Sequence, residues 1–199
     1  MKKNIKKYIK KRLTKERYRH SLGVAYTAIA LAMKYNPDTS NSDFMKKAEL
    51  AGLLHDCAKN MDKDKKIHIC DKNNISYSSL EAENAFLLHG KVGAYIAKTK
   101  FGIEDEDILN AICYHTTGRA GMSLLEKIIF VADFTSEERT YKGVATMRKK
   151  SRKSLEDAML YGFKFTFSDL SSRELAIHPD ELACYNEIVL NNPTKGKSK

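Results

Sequence analysis

The chain has 199 residues, of which 42% are hydrophobic and 30% are charged, and its formal net charge is +10 at pH 7. This length and composition predict one soluble domain with its own apolar core. No run approaches the roughly 18 apolar residues of a membrane helix, and no apolar segment follows the basic N-terminus, so neither a membrane span nor a secretory signal is expected.

The first predicted element is a basic helix over residues 1–14. Residues 1–19 contain ten Lys or Arg and one Glu, and three lysines stand among residues 195–199. Because the chain between these ends is nearly neutral, we interpret the ends as a solvated helix and a disordered tail over 193–199. The alternative interpretation is an arm that attracts phosphate or RNA.

Apolar residues recur at helical spacing along most of the chain, and strict alternation never persists for more than a few residues, so the predicted class is all-α. After the basic helix, further helices are predicted around 15–35, from Ser40 to His55, from Asp62 to about Asp71, from Ser78 through His89 to Gly102, over 105–115, from Ser123 past Asp133, near 152–170 and from Pro179 onward.

Three of these helices begin at a capping signal, in which a side chain near the start accepts hydrogen bonds from the first turn. The signals are Ser40-x-x-Asp43, Ser78-x-x-Glu81 and Ser123-x-x-Glu126. The pair His89-Gly90 is predicted to interrupt or bend its helix. In the last helix, Leu182, Tyr185 and Val189 are predicted to face the core.

The adjacent pair His55-Asp56 follows the apolar run Leu50–Leu54 at the end of a predicted buried helix. Removing two ionisable side chains from water costs several kcal/mol unless they are paired or bind a cation. A divalent metal ion would supply the compensating charge, so the pair predicts a buried cation site.

Four more residues that can bind metal stand at or near the end of an apolar run, which predicts that they point into the core. They are His20, His89, His115 and Asp133. Any one of them could be a hydrogen-bonded core residue, but six such residues in one chain favour a shared centre. Of the remaining histidines, His68 is predicted at the surface, and His178 is predicted to cap the last helix or to touch substrate.

Imidazole and carboxylate ligands together suit a divalent transition metal, with iron as the first expectation and zinc, manganese, cobalt or nickel as alternatives. Six ligands suffice for two ions about 3.5–4 Å apart, with Asp56 as the bridging carboxylate, and a single ion is the alternative. The cysteines are not expected to take part, because none has Cys-x-x-Cys spacing; they are interpreted as reduced thiols of a cytoplasmic protein.

The segment Thr116-Thr117-Gly118-Arg119 directly follows a proposed ligand and has the composition of a loop. Its hydroxyl and backbone N–H groups could donate hydrogen bonds to phosphate. An ordinary turn is the alternative interpretation.

The order of these histidines and aspartates resembles the HD phosphohydrolase superfamily, and longer segments resemble its YqeK family of symmetrical dinucleoside tetraphosphate hydrolases. The segments that carry the resemblance are Arg17-Tyr18-Arg19-His20-Ser21-Leu22-Gly23, Leu53-Leu54-His55-Asp56-Cys57-Ala58-Lys59, Leu88-His89-Gly90-Lys91-Val92-Gly93, Cys113-Tyr114-His115-Thr116-Thr117-Gly118-Arg119, Ala132-Asp133 and Ile177-His178-Pro179.

The resemblance implies one HD-domain helical bundle over residues 1–199 that hydrolyses diadenosine tetraphosphate to two ADP. It implies metal ligation by His20, His55, Asp56 and Asp133, with His89 and His115 completing a second site or gripping phosphate. Asp56 and Lys59 are the expected catalytic residues. Nucleotide contacts are expected from Arg17, Lys59, Thr116, Thr117, Arg139, His178 and Pro179.

One segment differs from the family pattern. Where the family has Glu-Pro-Asn, this chain has Ser136-Glu137-Glu138, while Arg139 is retained. The difference bears on the shape of the nucleotide pocket and on substrate preference, and it touches no proposed metal ligand.

Two other functions fit the same residues. One is an HD phosphohydrolase that acts on a cyclic nucleotide, a guanosine alarmone or a deoxynucleotide. The other is a non-catalytic regulator that binds a nucleotide or RNA, which the basic N-terminal helix favours and the intact ligand set opposes. The expected partner is a small-molecule nucleotide, with no membrane or nucleic acid involved, and a homodimer remains open.

Overall fold

Helices form all the regular structure in the residues that the computed structural model describes, 1–38 and 42–191. In chain order they are α1 (Lys2–Arg12), α2 (Lys15–Tyr35), α3 (Ser42–Leu54), α4 (Lys63–Lys72), α5 (Ser79–Glu83), α6 (Leu88–Phe101), α7 (Glu106–Cys113), α8 (Leu124–Thr135), α9 (Val144–Ser151), α10 (Leu155–Ser172) and α11 (Pro179–Leu190). The predicted all-α class is confirmed, whereas the predicted start at Ser40 and the tail over 193–199 lie outside the described residues. Within those residues, no helix is both long and apolar enough to cross a membrane.

Helix α8 lies at the centre of the bundle. Its residues Leu125, Ile128, Ile129 and Phe130 are at most 1% exposed, and the helix packs against α2, α3, α7, α9 and α10. A helix that is apolar on every side has to be enclosed by its neighbours. Because Asp133 is in the last turn of α8, this packing brings its carboxylate between α2 and the end of α3.

Both capping boxes of the described chain form as predicted. Glu81 accepts a hydrogen bond from the backbone N–H of Ser78, and Glu126 accepts one from that of Ser123, each at 2.8 Å. The predicted end of α6 at Gly102 is also confirmed, because this residue has a φ of 64°, in the left-handed region that glycine adopts without strain.

Two glycines let the helices that carry candidate ligands approach each other closely. A Cβ atom on Gly52 of α3 would lie 2.7 Å from the Cα atom of Ala25 in α2. A Cβ atom on Gly90 of α6 would overlap the carbonyl oxygen of Cys113 at the end of α7.

The predicted interruption at His89-Gly90 is therefore wrong. Both residues lie inside α6, and the chain breaks earlier, in the turn over 84–87. Glycine has a low helix propensity, but the close packing of α6 on α7 that Gly90 permits compensates for it.

The sequence does not predict α9, while the helix predicted near 152–170 corresponds to α10. Helix α9 is polar, so its stability comes from tertiary contacts: Met147 is fully buried. The Arg148 guanidinium donates hydrogen bonds to the carbonyl oxygens of Thr135 at 3.0 Å and Ser136 at 2.7 Å. Arg148 thereby holds the end of α8 and the loop that follows it, over 136–139.

The predicted inner face of α11 is wrong. Leu182 and Val189 are 41% and 39% exposed, and Cys184 and Ile188 are buried instead. Apolar residues occur on several faces of this helix, so their spacing alone did not determine which face meets the core. The ring of Tyr185 does pack inward, 5.5 Å from the ring centroid of Phe167 in α10.

Candidate metal centre

Five segments bring the six predicted metal ligands to one place. They are the first half of α2 with His20, the turn directly after α3 with His55 and Asp56, the first turn of α6 with His89, the turn directly after α7 with His115, and the last turn of α8 with Asp133. All four imidazoles are at most 8% exposed. Residues separated by more than a hundred positions in the chain are therefore gathered inside the bundle.

The ligand atoms form two overlapping groups. His20, His55 and Asp133 form one group, His55, Asp56 and His115 form the other, and within each group the ligand atoms lie within 4.8 Å of one another. Across the first group, His20 Nε2 lies 2.9 Å from Asp133 Oδ1 and 3.3 Å from His55 Nε2. His55 is common to both groups, so one or two ions would fit between them.

His89 completes the second group. Its Nε2 atom lies 3.0 Å from Nε2 of His115 and 3.2 Å from Oδ1 of Asp56. His89 and His115 therefore lie together beside Asp56.

Local backbone geometry fixes the tautomer of three of these histidines. The Nδ1 atoms of His55, His89 and His115 lie 2.7, 2.5 and 2.8 Å from backbone carbonyl oxygens three residues earlier in the chain. A carbonyl oxygen accepts hydrogen bonds and never donates them, so each Nδ1 carries the proton. Each Nε2 lone pair is then left facing the centre, as metal ligation requires.

The donor set fits a divalent metal ion. Asp56 Oδ1 is buried without a hydrogen bond of acceptable geometry, although Nε2 of His115 lies 3.5 Å away and Nζ of Lys59 3.1 Å away. The Nε2 lone pairs of His89 and His115 and the anionic oxygen of Asp56 repel one another unless a cation lies nearby. The Lys59 ammonium is one such cation, because it also lies 3.0 Å from Nε2 of His89. A metal ion bound by these atoms would satisfy all three.

Burial and neighbouring charges set the protonation of the ligands. Burial lowers the pKa of His55 to about 3 and that of His89 to about 4, so both imidazoles are neutral at pH 7. Burial alone would raise the pKa of Asp56 and Asp133. Nearby positive charge, from Lys59 beside Asp56 and from His20 and Arg139 beside Asp133, outweighs burial and holds both pKa values well below the usual range.

His20 differs from the other histidines, which leads to a prediction about pH. Burial disfavours its charged form, but hydrogen bonds to Asp133 and Glu138 raise the pKa of His20 to about 9. A metal ion must displace this proton, so we expect metal affinity to rise about tenfold per pH unit up to about pH 9 and to level off above it. Competition with a chelator of known affinity between pH 6 and pH 10 measures this slope, and an affinity that is constant over the range would contradict the prediction.

A cleft of about 440 Å³ opens onto the centre. Its lining includes four of the predicted nucleotide contacts, Arg17, Lys59, Thr116 and Arg139, and three of the predicted metal ligands, His20, Asp56 and Asp133. Thr116 Oγ1 lies 3.1 Å from His115 Nε2, so this loop reaches the ligands directly.

Three predicted nucleotide contacts do not line this cleft. The hydroxyl of Thr117 donates to the carbonyl oxygen of Gly118 at 2.9 Å. Nδ1 of His178 accepts from the backbone N–H of Asp180 at 3.2 Å and so caps α11, as the sequence suggested. Pro179 is exposed at the first position of that helix. Contact between these three residues and nucleotide stays a prediction.

The cations of the cleft are paired with the carboxylates of the centre. Arg17 Nη1 lies 3.3 Å from Asp56 Oδ2. The Arg139 guanidinium contacts the Asp133 carboxylate, and its Nε also donates to the carbonyl oxygen of Asp133 at 2.8 Å. These charges are therefore held at the border of the metal centre, where an anionic substrate would meet them.

Sequence reasoning missed two residues of this site. Glu138 accepts a hydrogen bond from Nδ1 of His20, and it lies in the segment noted only for its difference from the family pattern. Phe86 lines the cleft while 47% exposed. It opens an apolar run before His89 and carries no signal that would separate it from core residues.

The chain matches a known family model. The model is described as HD domain, and the match covers residues 17–137. Three bacterial relatives carry the name symmetrical bis(5'-nucleosyl)-tetraphosphatase. The relative from Halalkalibacterium halodurans is 41% identical, and the match covers 92% of this chain and 94% of the relative. The relative from Bacillus subtilis is 39% identical, and the match covers 91% of this chain and 94% of the relative. The relative from Staphylococcus aureus is 38% identical, and the match covers 91% of each chain.

A solved structure has the same fold. It is a crystal structure of a predicted HD superfamily hydrolase involved in NAD metabolism from Clostridium acetobutylicum. That chain is 40% identical to this one, and the two superimpose with a TM-score of 0.90 over 96% of this chain and 98% of the other.

Proposed function

The chain belongs to the HD domain family, and from that premise we propose that it is a metal-dependent hydrolase that splits dinucleoside tetraphosphates symmetrically into two nucleoside diphosphates. The observation that carries the proposal is the buried cluster of four imidazoles and two carboxylates at the floor of a cleft edged by paired cations. The names of the relatives from Halalkalibacterium halodurans, Bacillus subtilis and Staphylococcus aureus support this substrate class.

The proposed reaction adds one water molecule across the central P–O–P bridge of diadenosine tetraphosphate, so both products are ADP. When bound, divalent ions at such a centre acidify water and withdraw charge from phosphoryl oxygens. The side chains of His20, His55, Asp56, His89, His115 and Asp133 would hold them. A symmetrical cut requires that the cleft present the middle bridge of the phosphate chain to the centre, so the position in which the phosphates bind would fix the position of the cut.

The cations of the cleft bind and orient the phosphates. Arg17 and Lys59 flank Asp56 at 3.3 and 3.1 Å, so a phosphate over this carboxylate would lie beside two positive charges. Lys59 is the proposed catalytic cation, donating a hydrogen bond to charge that develops on the bridging oxygen. Thr116 and Arg139 would bind the neighbouring phosphoryl oxygens.

We propose iron as the first candidate metal, with zinc, manganese, cobalt or nickel as alternatives, because mixed imidazole and carboxylate ligands suit these ions. Elemental analysis of the purified protein identifies the metal and the number of ions per chain. The four free cysteines support a reducing compartment such as the cytoplasm.

The test is a product assay on the metal-loaded protein with diadenosine tetraphosphate in ¹⁸O-labelled water. We expect ADP as the sole nucleotide product, with one labelled oxygen per substrate cleaved. ATP plus AMP would contradict the symmetrical cut. Turnover of a cyclic nucleotide, a guanosine alarmone or a deoxynucleotide, with none of the tetraphosphate, would favour the other HD phosphohydrolases instead.

A further inference from the structure

Glu138 gives His20 a hydrogen-bond partner that the other histidines of the centre do not have. Their Nδ1 atoms donate to backbone carbonyls, whereas Nδ1 of His20 donates to the Glu138 carboxylate. Ser136 Oγ in turn donates to Oε1 of Glu138 at 2.6 Å. Both hydrogen bonds are accepted by the same oxygen, Oε1, so the imidazole and the hydroxyl together orient the carboxylate.

A glycine on α2 makes room for this carboxylate. A Cβ atom on Gly23, one helical turn after His20, would overlap Oε2 of Glu138. Glycine inside a helix costs about 1 kcal/mol relative to alanine. The missing side chain at Gly23 leaves the space against α2 that the Glu138 carboxylate occupies.

We propose that Glu138 is the positioning residue for His20, and that Gly23 provides the space in which it works. The hydrogen bond fixes the proton on Nδ1, aims the Nε2 lone pair at the centre and makes the imidazole a stronger ligand. The inference rests on the metal centre but not on the identity of the substrate, so a failure to find tetraphosphate hydrolysis would leave it standing.

Metal affinity, measured by competition with a chelator, tests the role of Glu138 without any assay of turnover. We expect Glu138→Ala to weaken metal binding by about 10- to 100-fold. Glu138→Gln, which can still accept a hydrogen bond from Nδ1, should lose less. Glu137→Gln is the matched control, because Glu137 is the exposed neighbour of Glu138 in the same loop. Wild-type affinity in Glu138→Ala would overturn the proposal.

Gly23→Ala provides an independent test, because its added methyl group would overlap Oε2 of Glu138 and displace the carboxylate. We expect a loss of metal affinity comparable to that of Glu138→Ala, with no fall in Tm, since alanine favours the helix. In the double variant Glu138→Ala with Gly23→Ala, the second change should add nothing, because no carboxylate remains to be displaced. Fully additive losses would show that Gly23 acts elsewhere and would overturn this part of the proposal.

A second inference concerns Phe86, and it rests on the proposed function. This residue lies in the turn between α5 and α6 and lines the cleft with 47% of its surface exposed. Its carbonyl oxygen accepts from Nδ1 of His89, and Lys59 Nζ lies 4.2 Å from the centroid of its ring. An aromatic ring that lines the cleft is thus held beside the metal centre and the proposed phosphate-binding lysine.

We propose that Phe86 is the platform on which one nucleobase of the substrate stacks. Stacking on an aromatic ring suits any base, because every base has a π-face. Replacing Phe86 with alanine should raise KM for diadenosine tetraphosphate by about 5- to 100-fold with little change in kcat. Phe165→Ala is the control, because Phe165 is also 47% exposed but does not line the cleft.

A fluorescence reporter tests the stacking without turnover, because the chain contains no tryptophan. We expect ADP to quench the emission of Phe86→Trp, inorganic pyrophosphate to leave it nearly unchanged, and neither to affect Phe165→Trp. Equal responses to ADP and pyrophosphate, or no response to ADP, would overturn the inference. Wild-type protein that binds ADP but cleaves no tetraphosphate would instead count against the proposed reaction.

Discussion

Replacing Asp56 with asparagine is expected to abolish stable metal binding and to lower kcat/KM by about 10³-fold or more. This loss is larger than the roughly 10- to 100-fold loss expected when a residue that only hydrogen-bonds to a metal ligand is replaced. Oδ1 of Asp56 lies 3.2 Å from His89 Nε2, and its Oδ2 lies 3.3 Å from Arg17. Asparagine keeps the shape but removes the charge, and its amide N–H can donate to an imidazole lone pair in place of the metal.

Metal content by elemental analysis and turnover of diadenosine tetraphosphate measure the two effects. Asp64→Asn is the control, because this aspartate is exposed on α4. Circular dichroism should show the wild-type helix content in both variants. An Asp56→Asn protein with a full complement of metal and full activity would contradict the assignment of the centre.

Replacing Gly90 with alanine is expected to lower the free energy of unfolding by about 2–3 kcal/mol and Tm by about 5–10 °C. The added Cβ atom would overlap the carbonyl oxygen of Cys113, which is backbone and cannot turn aside. To relieve the overlap, α6 has to move away from α7. Because His89 lies on α6 and His115 follows the end of α7 by two residues, metal affinity should fall with stability.

Gly93→Ala on the same helix is the matched control for this change. Its Cβ atom would lie 3.2 Å from a side-chain methyl group of Ile112, which can shift by a few tenths of an ångström. We expect a much smaller change in Tm, measured by thermal unfolding of the metal-free proteins. A Gly90→Ala variant as stable as wild type would contradict the close approach of α6 and α7.

Those parts of the fold that depend on contacts between residues close together in the chain could be predicted from the sequence. The capping boxes at Ser78 and Ser123 involve contacts over three positions, and they form as expected. Helix α9 could not be predicted, because it is held by Arg148 against carbonyl groups of a distant segment. The orientation of α11 was missed for a similar reason, since its contact with α10 determines the buried face.

The candidate site also contains residues that could be predicted from the sequence and residues that could not. The residues His55 and Asp56 stand out because ionisable groups at the end of an apolar run need a compensating charge, and the structure places them at the centre of the cluster. Glu138 was missed because its contact with His20 joins positions 118 residues apart. Nothing near Glu138 in the sequence marks it as the hydrogen-bond partner of an imidazole.

The hydrogen bonds from three imidazoles to the backbone carbonyls of Gly52, Phe86 and Ile112 have a consequence for ion selection. The backbone fixes the orientation of each ring before a metal ion binds. Replacing one ion by another therefore requires no rearrangement of these three histidines. Ions of different size then meet ligand atoms at the same fixed separations. Selection of one metal over another would then depend on how well its ionic radius matches the spacing of the ligand atoms and on its concentration in the cell.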